Sequence, residues 1–335
     1  MYNSIITGTG YYVPENIVTN DDLSKLMDTS DAWIQERTGI QQRHFATRGK
    51  DTTTLMGVRA AQMAMEKAKI NKEDIDFLIF ATLSPDYYFP GCGVLAQKEL
   101  GLHTVGALDI RNQCSGFIYA LSVADQFIKT GMYKNVLVIA SEMQSPALDL
   151  TTRGRNMAVL FGDGAGAAVL SRSEENGKGI LSSHLHSEGA HAEELAILTP
   201  GVGKKWVTDL LKENDPEDTS YFPYMNGQFV FKNAVVRFSE VIIEGLKANK
   251  LTESDINLFI PHQANLRISQ FIQQKFNLPD AKVFNNIQKY GNTTAASIAI
   301  ALAEAVEQDR IKENDIILLA AFGSGFTWGS VVIKW

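Results

Sequence analysis

The chain alternates amphipathic segments with short apolar ones along most of its length. Residues 54–69 and 234–249 carry apolar side chains at helical spacing, which predicts two amphipathic helices. Each predicted helix is followed by a short polar segment and then by an apolar strand. Short apolar strands alternating with amphipathic helices are typical of largely parallel sheets covered by helices. The pattern therefore predicts an α/β fold.

The chain also resembles itself. Residues 70–80 match residues 251–261 at a separation of 181 positions. Residues 133–140 match residues 313–320 in the same order, at a separation of 180 positions. One such match is compatible with chance. Two matches in the same order and at nearly the same separation favour an internal duplication.

We accordingly predict two similar βαβ-rich halves, residues 1–172 and 173–335, joined near the polar segment 171–178. The same separation carries the turn at Cys114 onto the turn at Thr294, and each turn opens a long apolar helix. The two turns are thus expected at equivalent places in the two halves.

Composition and charge narrow the class of protein. A net charge of −7 disfavours a general nucleic-acid binder. The presence of only two cysteines argues for a reducing compartment and against a disulfide framework. No apolar run approaches the roughly 18 residues of a membrane span, and the N-terminus lacks the features of a signal peptide. The sequence predicts a soluble cytoplasmic protein with no membrane or nucleic-acid partner.

Cys114 lies where a polar turn gives way to an amphipathic run, which predicts a strand, a tight turn and then a helix. Unpaired N–H groups and the positive dipole end at a helix start favour thiolate over thiol, so this setting predicts a nucleophile. A buried inert cysteine is the ordinary alternative. Cys92, in a Pro-Gly-Cys-Gly segment, has no such setting and is interpreted as structural.

Two later segments carry residues that complement a nucleophilic cysteine. Residues 261–265 read Pro-His-Gln-Ala-Asn and residues 291–297 read Gly-Asn-Thr-Thr-Ala-Ala-Ser. His262 and Asn292 can both donate hydrogen bonds to a carbonyl oxygen. The alternatives are a satisfied core histidine and an ordinary helix cap. Cysteine, histidine and asparagine together suit the formation of a thioester and its attack by a carbon nucleophile.

Six motifs, in order along nearly the full chain, resemble those of β-ketoacyl-acyl-carrier-protein synthase III, a condensing enzyme of the thiolase-like fold. They lie at residues 8–14, 29–40, 161–167, 262–265, 291–297 and 323–329. The resemblance implies a layered α-β-α-β-α arrangement of the two halves. It also implies a homodimer.

The resemblance implies a decarboxylative condensation by a ping-pong route. Cys114 is expected to take an acyl group from acyl-CoA, and His262 and Asn292 are expected to stabilise the enolate formed from malonyl-acyl carrier protein. The backbone N–H groups of Cys114 and Ser324 are expected to supply the oxyanion hole. The substrates are thioesters, and neither a cofactor nor a metal is expected.

The resemblance further implies a route for the substrates. The CoA-binding residues are expected to be Thr29, Trp33, Arg37 and Arg155, with Arg153 as an alternative to Arg155 because Arg-Gly-Arg allows two registers. The pantetheine tunnel is expected to be lined by Gly227, Asn265 and Phe322. Solvated charge and core aromatic residues are the ordinary alternatives for these positions.

Three basic residues, Lys232, Arg267 and Lys275, are expected to form a docking patch for the acidic acyl carrier protein at the tunnel mouth. The resemblance also implies that Phe89 reaches across the dimer interface and closes the acyl pocket, although ordinary interface packing explains it almost as well. Residues 182–224 lack clear periodicity and are interpreted as an excursion over the active-site mouth.

Some residues depart from the housekeeping pattern of the family. Arg111, Asn112 and Gln113 precede the cysteine where small residues are usual, and residues 153–156 look like those of secondary-metabolism branches. Initiation of fatty acid biosynthesis is the predicted function. The alternatives are the same chemistry in an alkylquinolone- or dialkylresorcinol-type pathway, and a non-catalytic acyl-binding protein.

Overall fold

The computed structural model describes residues 2–199, 201, 215 and 218–335, and two sheets lie at its centre. The first sheet has the order β1 (Asn3–Tyr12), β7 (Gly164–Ser173), β6 (Asn135–Glu142), β4 (Phe77–Ala81) and β5 (Gly106–Ile110). The second has the order β11 (Leu258–Pro261), β12 (Ile316–Gly323), β13 (Thr327–Lys334) and β8 (Gly179–Ser187). Two small ribbons pair β2 (Ile17–Thr19) with β3 (Gln42–His44), and β9 (Leu195–Ala196) with β10 (Tyr224–Met225).

The helices of the described residues fall into long packing helices and short connecting ones. The long helices are α3 (Thr53–Ala68), α4 (Cys92–Leu100), α5 (Gly116–Lys129), α7 (Gly227–Ala248), α8 (Leu266–Lys275) and α10 (Ala296–Glu307). The short ones are α1 (Asn20–Ser24), α2 (Asp31–Thr38), α6 (Arg155–Ala158) and α9 (Ile287–Tyr290). None of the described helices is long and apolar enough to cross a membrane.

The sheets and helices stack in five layers. Strand β4 places Ile79 and Ala81 against α5 and α10, and it places Leu78 and Phe80 against α3 and α4 on the other face. Strand β12 likewise contributes to the central core on one face and to the core beneath α7 and α8 on the other. Because side chains alternate across a strand, a strand buried on both faces needs an unbroken apolar run. The predicted α-β-α-β-α arrangement is confirmed.

The two sheets repeat the same strand pairing. In the first sheet β4 runs parallel to β6 with Phe77 opposite Val136, and in the second β11 runs parallel to β12 with Leu258 opposite Ile317. Both partners in the second pair lie 181 positions after those in the first. The internal match in the sequence therefore corresponds to a repeated register.

The connection between the sheets follows Ser173, the last residue of β7, and ends at Gly179, the first residue of β8. A division of the chain into residues 1–172 and 173–335 stays a prediction. The central core contains α5 from the first half and α10 from the second, so the two halves share their largest apolar cluster.

Two expectations about element boundaries are wrong. Helix α7 begins at Gly227 rather than near residue 234, because its first turns already pack Val230 inward. The aperiodic segment 182–224 begins inside strand β8, whose Ser-Ser-His-Leu-His-Ser sequence lacks the usual apolar alternation. Residues 200, 202–214, 216 and 217 of that segment lie outside the described residues.

Candidate active site

Cys114 lies in a tight 3-10 turn, Gln113–Ser115, between the end of β5 and the start of α5. Gln113 adopts a left-handed φ of 44°, and the equivalent Thr294 in the second half has a φ of 46°. The end of β12 approaches the turn closely, since a Cβ atom on Gly323 would lie 2.7 Å from the Cβ of Cys114. Only glycine fits there, and the nucleophile from the first half is thereby seated against the second.

His262 directly follows β11, as predicted from the strand-ending motif, and its backbone N–H donates to the carbonyl of Ala320 at 2.8 Å. Its Nδ1 atom lies 2.6 Å from Ser297 Oγ, and its Nε2 atom is buried with no hydrogen-bond partner among the described residues. Burial lowers the pKa of His262 to about 3. The ring is therefore neutral at physiological pH.

Asn292 is held by backbone hydrogen bonds from both sides. Its N–H donates to the Leu160 carbonyl at 2.8 Å, and its carbonyl accepts from the Gly162 N–H at 3.1 Å. The side-chain oxygen Oδ1 accepts from the Thr294 N–H at 2.8 Å. This bond fixes the orientation of the amide and leaves the two Nδ2 hydrogens for the cavity. Asn292 is thus both a turn-forming residue and a donor.

One cavity of about 250 Å³ is lined by all three of these side chains. Cys114, His262 and Asn292 are buried, whereas Arg37, which lines the same cavity, is exposed. The cavity therefore connects the catalytic candidates with the surface. Its lining is largely apolar apart from these groups, which is the usual character of a small-molecule site.

The expectation that Cys114 favours the thiolate is wrong. Burial, with a smaller contribution from the nearby Glu142 carboxyl, raises the pKa of the Cys114 thiol to about 12. Hydrogen bonds from the backbone N–H groups of Ser324 and of Cys114 itself act in the opposite direction, but they do not offset the loss of water. The helix start supplies donors to the sulfur without making it a thiolate.

Those two backbone donors are the predicted oxyanion-hole groups, and the structure brings both to the sulfur of Cys114. The position of Ser324 is secured by its own hydroxyl, which donates to the Leu195 carbonyl at 2.6 Å, and by Thr327 Oγ1, which donates to the Ser324 carbonyl at 3.1 Å. The turn after β12 is consequently tied both to β9 and to β13.

Sequence reasoning missed Glu142, a buried carboxyl next to the site. It accepts hydrogen bonds from Ser84 Oγ at 2.7 Å and from the Ala295 N–H at 3.4 Å. Burial raises its pKa to about 7. A charged residue at the end of an apolar strand was the available signal. Glu142 links the loop after β4 to the turn that carries Asn292.

The predicted CoA-binding residues are partly assembled around Trp33. The guanidinium groups of Arg37 and Arg155 lie 4.5 Å and 5.2 Å from the centre of the Trp33 ring. Arg153 instead pairs with Asp149 at 2.7 Å. Of the two candidate arginines, Arg155 is therefore the one that contacts Trp33. 

Thr29 lies just before α2 and does not line the cavity, and its buried Oγ1 has no hydrogen-bond partner among the described residues. The three predicted tunnel residues, Gly227, Asn265 and Phe322, do line the cavity. Asn265 also caps α8 and donates from Nδ2 to the Arg37 carbonyl at 3.0 Å, which joins α8 to α2.

The predicted docking residues do not all lie at the cavity. Lys232 follows the lining residue Phe231 on α7, and Arg267 follows Asn265 by two positions. Lys275 is at the opposite end of α8, about 12 Å along the helix axis from Arg267. It lines a separate surface cavity and does not line the cavity of Cys114, so its place in the docking patch stays a prediction.

Two further residues differ in setting from the catalytic candidates. Phe89 is 81% exposed and does not line the cavity of its own chain. Cys92 is fully buried, and burial raises the pKa of its thiol to about 11.

Within the described part of the chain, no group of three or more His, Cys, Asp or Glu side chains is arranged to hold a metal ion.

The sequence of this chain is similar to those of known proteins. Family models match residues 108–189, as 3-oxoacyl-[acyl-carrier-protein (ACP)] synthase III, and residues 246–335, as its C-terminal part. The chain is 46% identical to the beta-ketoacyl-[acyl-carrier-protein] synthase III of Caldanaerobacter subterraneus subsp. tengcongensis, over 98% of this chain and 97% of that protein.

Solved structures agree with these matches. The 3-oxoacyl-[acyl-carrier-protein] synthase III of Aquifex aeolicus superposes with a TM-score of 0.90 at 44% identity, covering 99% of this chain and 100% of the other. The priming β-ketosynthase of the R1128 polyketide biosynthetic pathway superposes with a TM-score of 0.88 at 31% identity, covering 99% and 96%.

The fold, the site and these relatives define a condensing, acyl-transferring enzyme with the thiolase-like architecture. The chain belongs to the β-ketoacyl-acyl-carrier-protein synthase III family. The resemblance read from the six sequence motifs is confirmed.

The raised pKa of Cys114 leads to a first prediction. The alkylation rate of Cys114 by iodoacetamide should rise about tenfold per pH unit between about pH 7 and pH 9, because the thiolate fraction does so well below the pKa. The rate is measured by peptide mass spectrometry, with Cys114→Ala giving the background from Cys92. A rate that is already constant across this pH range would contradict a buried, protonated thiol.

Proposed function

We propose that this protein catalyses the decarboxylative Claisen condensation of an acyl-CoA primer with malonyl-acyl carrier protein, giving a β-ketoacyl thioester that initiates fatty acid biosynthesis. The observation that carries the proposal is the meeting of Cys114, His262 and Asn292 in one cavity. A nucleophile and two neutral hydrogen-bond donors are what an acyl transfer followed by enolate formation requires.

In the first half-reaction the sulfur of Cys114 attacks the acyl-CoA carbonyl. The C–S bond to CoA breaks, the CoA sulfur leaves with the proton lost by Cys114, and the acyl group stays on the enzyme. The backbone N–H groups of Cys114 and Ser324 stabilise the tetrahedral oxyanion in this step. A protonated resting thiol fits this exchange, because a buried thiolate without a partner would be costly.

In the second half-reaction the malonyl thioester loses CO2 and leaves an enolate. Its oxygen accepts hydrogen bonds from His262 Nε2 and Asn292 Nδ2, the two donors left free by the geometry of their side chains. The enolate carbon attacks the acyl-Cys114 carbonyl, and collapse of the adduct expels the Cys114 sulfur, which takes up a proton. A neutral His262 suffices, because its role is to donate a hydrogen bond.

The substrates would reach the cavity along the residues at its exposed side. Trp33, Arg37 and Arg155 provide an aromatic face and cationic groups suited to the adenine and phosphates of CoA. Lys232 and Arg267 form no ion pair with a carboxylate of the described residues, so their charges are free to meet an acidic acyl carrier protein. The thioester substrates carry the reacting groups, and no resident cofactor takes part.

We also propose that the working enzyme is a homodimer that joins at the β5 edge of the first sheet. Within the described residues β5 pairs only with β4, which leaves its outer edge without a partner. The exposed side chains of Tyr87, Tyr88 and Phe89 lie in the loop after β4. An unpaired strand edge beside exposed aromatic side chains is suited to burial against a second copy. We place the protein in the cytoplasm.

A second candidate is the same chemistry in a secondary-metabolite pathway. It is favoured by the departures at Arg111, Asn112 and Gln113 and by the similarity to an enzyme named for polyketide synthesis. Relatives at 42–46% identity named β-ketoacyl-acyl-carrier-protein synthase III support the first proposal. A panel of acyl-CoA primers, each tested with malonyl carrier protein and malonyl-CoA, distinguishes the two.

The proposed function predicts a covalent intermediate on Cys114. Acyl-CoA alone should add one acyl group to the intact protein, and digestion should locate it on Cys114. Cys114→Ala should abolish both the adduct and condensation, whereas Cys92→Ala should keep them. Labelling of Cys92, or no labelling with any primer, would exclude this mechanism and favour a non-catalytic acyl-binding protein.

Carrier docking predicts a selective effect of Arg267→Glu. This variant should raise the KM for malonyl carrier protein while acyl transfer from acyl-CoA to Cys114 stays near normal, and the difference should shrink as salt rises. Lys275→Glu, at the far end of α8, serves as the control and should have a smaller effect. Equal loss with both substrates in Arg267→Glu would instead indicate a shared or structural role.

The dimer proposal predicts that Phe89 limits the acyl chain of the partner subunit. Phe89→Ala should shift the preference toward longer primers in a graded way, since one methylene in an apolar pocket is worth about 1–3 kcal/mol. The measurement is kcat/KM across a primer series, with mass determined by light scattering. An active monomer, or an unchanged chain preference, would refute the assignment of Phe89.

A further inference from the structure

The hydroxyl of Ser297 contacts the ring of His262 on the side opposite the cavity. Ser297 is the second residue of α10 and is 2% exposed. Its Oγ lies 2.6 Å from His262 Nδ1 and accepts a hydrogen bond from the Gln263 N–H at 3.3 Å. The condensation chemistry proposed for the site does not use this hydroxyl.

The hydrogen atoms around Ser297 Oγ determine which nitrogen of His262 is protonated. The Gln263 N–H can only donate, so it occupies a lone pair of Oγ. Among the described residues, the remaining partner of Oγ is His262 Nδ1, which can accept the hydroxyl hydrogen if it is unprotonated. A neutral imidazole carries one N–H. That hydrogen is then on Nε2, the atom that is buried without a partner.

The opposite tautomer would leave an additional buried group, the Ser297 hydroxyl, without a partner for its hydrogen. With the hydrogen on Nδ1, two N–H donors would converge on Ser297 Oγ, and the serine hydroxyl hydrogen would have no acceptor in the described contacts. Nε2 would then face the cavity as an acceptor, unable to donate to an enolate oxygen. Unsatisfied buried groups are disfavoured, so the local contacts select the Nε2–H form.

We propose that Ser297 is a positioning residue that sets the Nε2–H tautomer and the ring orientation of His262 for malonyl decarboxylation. The proposal rests on the proposed function, since it assigns the direction of the hydrogen bond used there. Ser297 and Asn292 belong to the same turn and helix start, residues 291–297. One segment therefore orients both donors, Asn292 by presenting its own amide and Ser297 through His262.

The direct test is the ¹⁵N spectrum of protein labelled at histidine, with the His262 signals assigned by their loss in His262→Ala. In the wild type at neutral pH, Nε2 should have a protonated, pyrrole-type shift and Nδ1 an unprotonated, pyridine-type shift. A hydrogen on Nδ1 in the wild type would overturn the proposal. This readout needs no substrate, so it stands or falls separately from the proposed function.

The kinetic test compares Ser297→Ala with Ser297→Thr. Ser297→Ala should still acylate Cys114 but should lose about 10–100-fold in kcat for malonyl decarboxylation, with little change in KM, because a transition-state donor is misdirected. Ser297→Thr keeps the hydroxyl and should recover most of the rate. Ser239→Ala removes another buried helix hydroxyl, one that donates to the Val235 carbonyl, and should leave the rate unchanged.

Normal decarboxylation in a folded Ser297→Ala protein would refute the role, as would an unchanged His262 tautomer in that variant. Equal loss of acylation and decarboxylation would indicate a structural effect and would also count against it. If the wild type neither acylates nor decarboxylates, the proposed function fails while the tautomer assignment keeps its own spectroscopic test.

Discussion

The burial of Cys114, His262 and Asn292 between the two sheets is the constraint on which the rest of the site depends. Loss of water raises the pKa of the Cys114 thiol to about 12 and lowers that of His262 to about 3, so both groups are neutral at physiological pH. Neutral groups can be buried at low cost when their hydrogen bonds are satisfied. The site therefore works with hydrogen-bond donors of fixed direction, and charge develops on the substrates.

The duplication explains how these donors are held. Each half places a tight turn with a left-handed residue ahead of a central helix, Gln113 before α5 and Thr294 before α10. The first turn carries the nucleophile Cys114, and the second carries Asn292 two positions before Thr294, so two turns at equivalent places in the fold carry different parts of the site. Because α5 and α10 share the central core, the packing that stabilises the fold also fixes the distance between nucleophile and donor.

Much of this could be predicted from the sequence, because apolar periodicity and internal repetition are local signals. They indicated the α/β fold and the strands before Cys114 and His262, and the family resemblance pointed to the layered arrangement. The charge state of Cys114 could not be read in this way, since it depends on how much water the fold removes. The contact between Ser297 and His262 and the distance of Lys275 from the cavity depend on tertiary packing and helix direction, which short motifs do not encode.

In the proposed mechanism His262 and Asn292 serve the malonyl substrate and not the acyl transfer. The most direct measurement follows acyl-Cys114 by mass and CO2 release from malonyl carrier protein in the same samples of His262→Ala and Asn292→Ala. We expect full acylation in both variants, with decarboxylation slowed about 10²–10³-fold because one donor to the enolate is lost. Decarboxylation at the wild-type rate in both variants would contradict it.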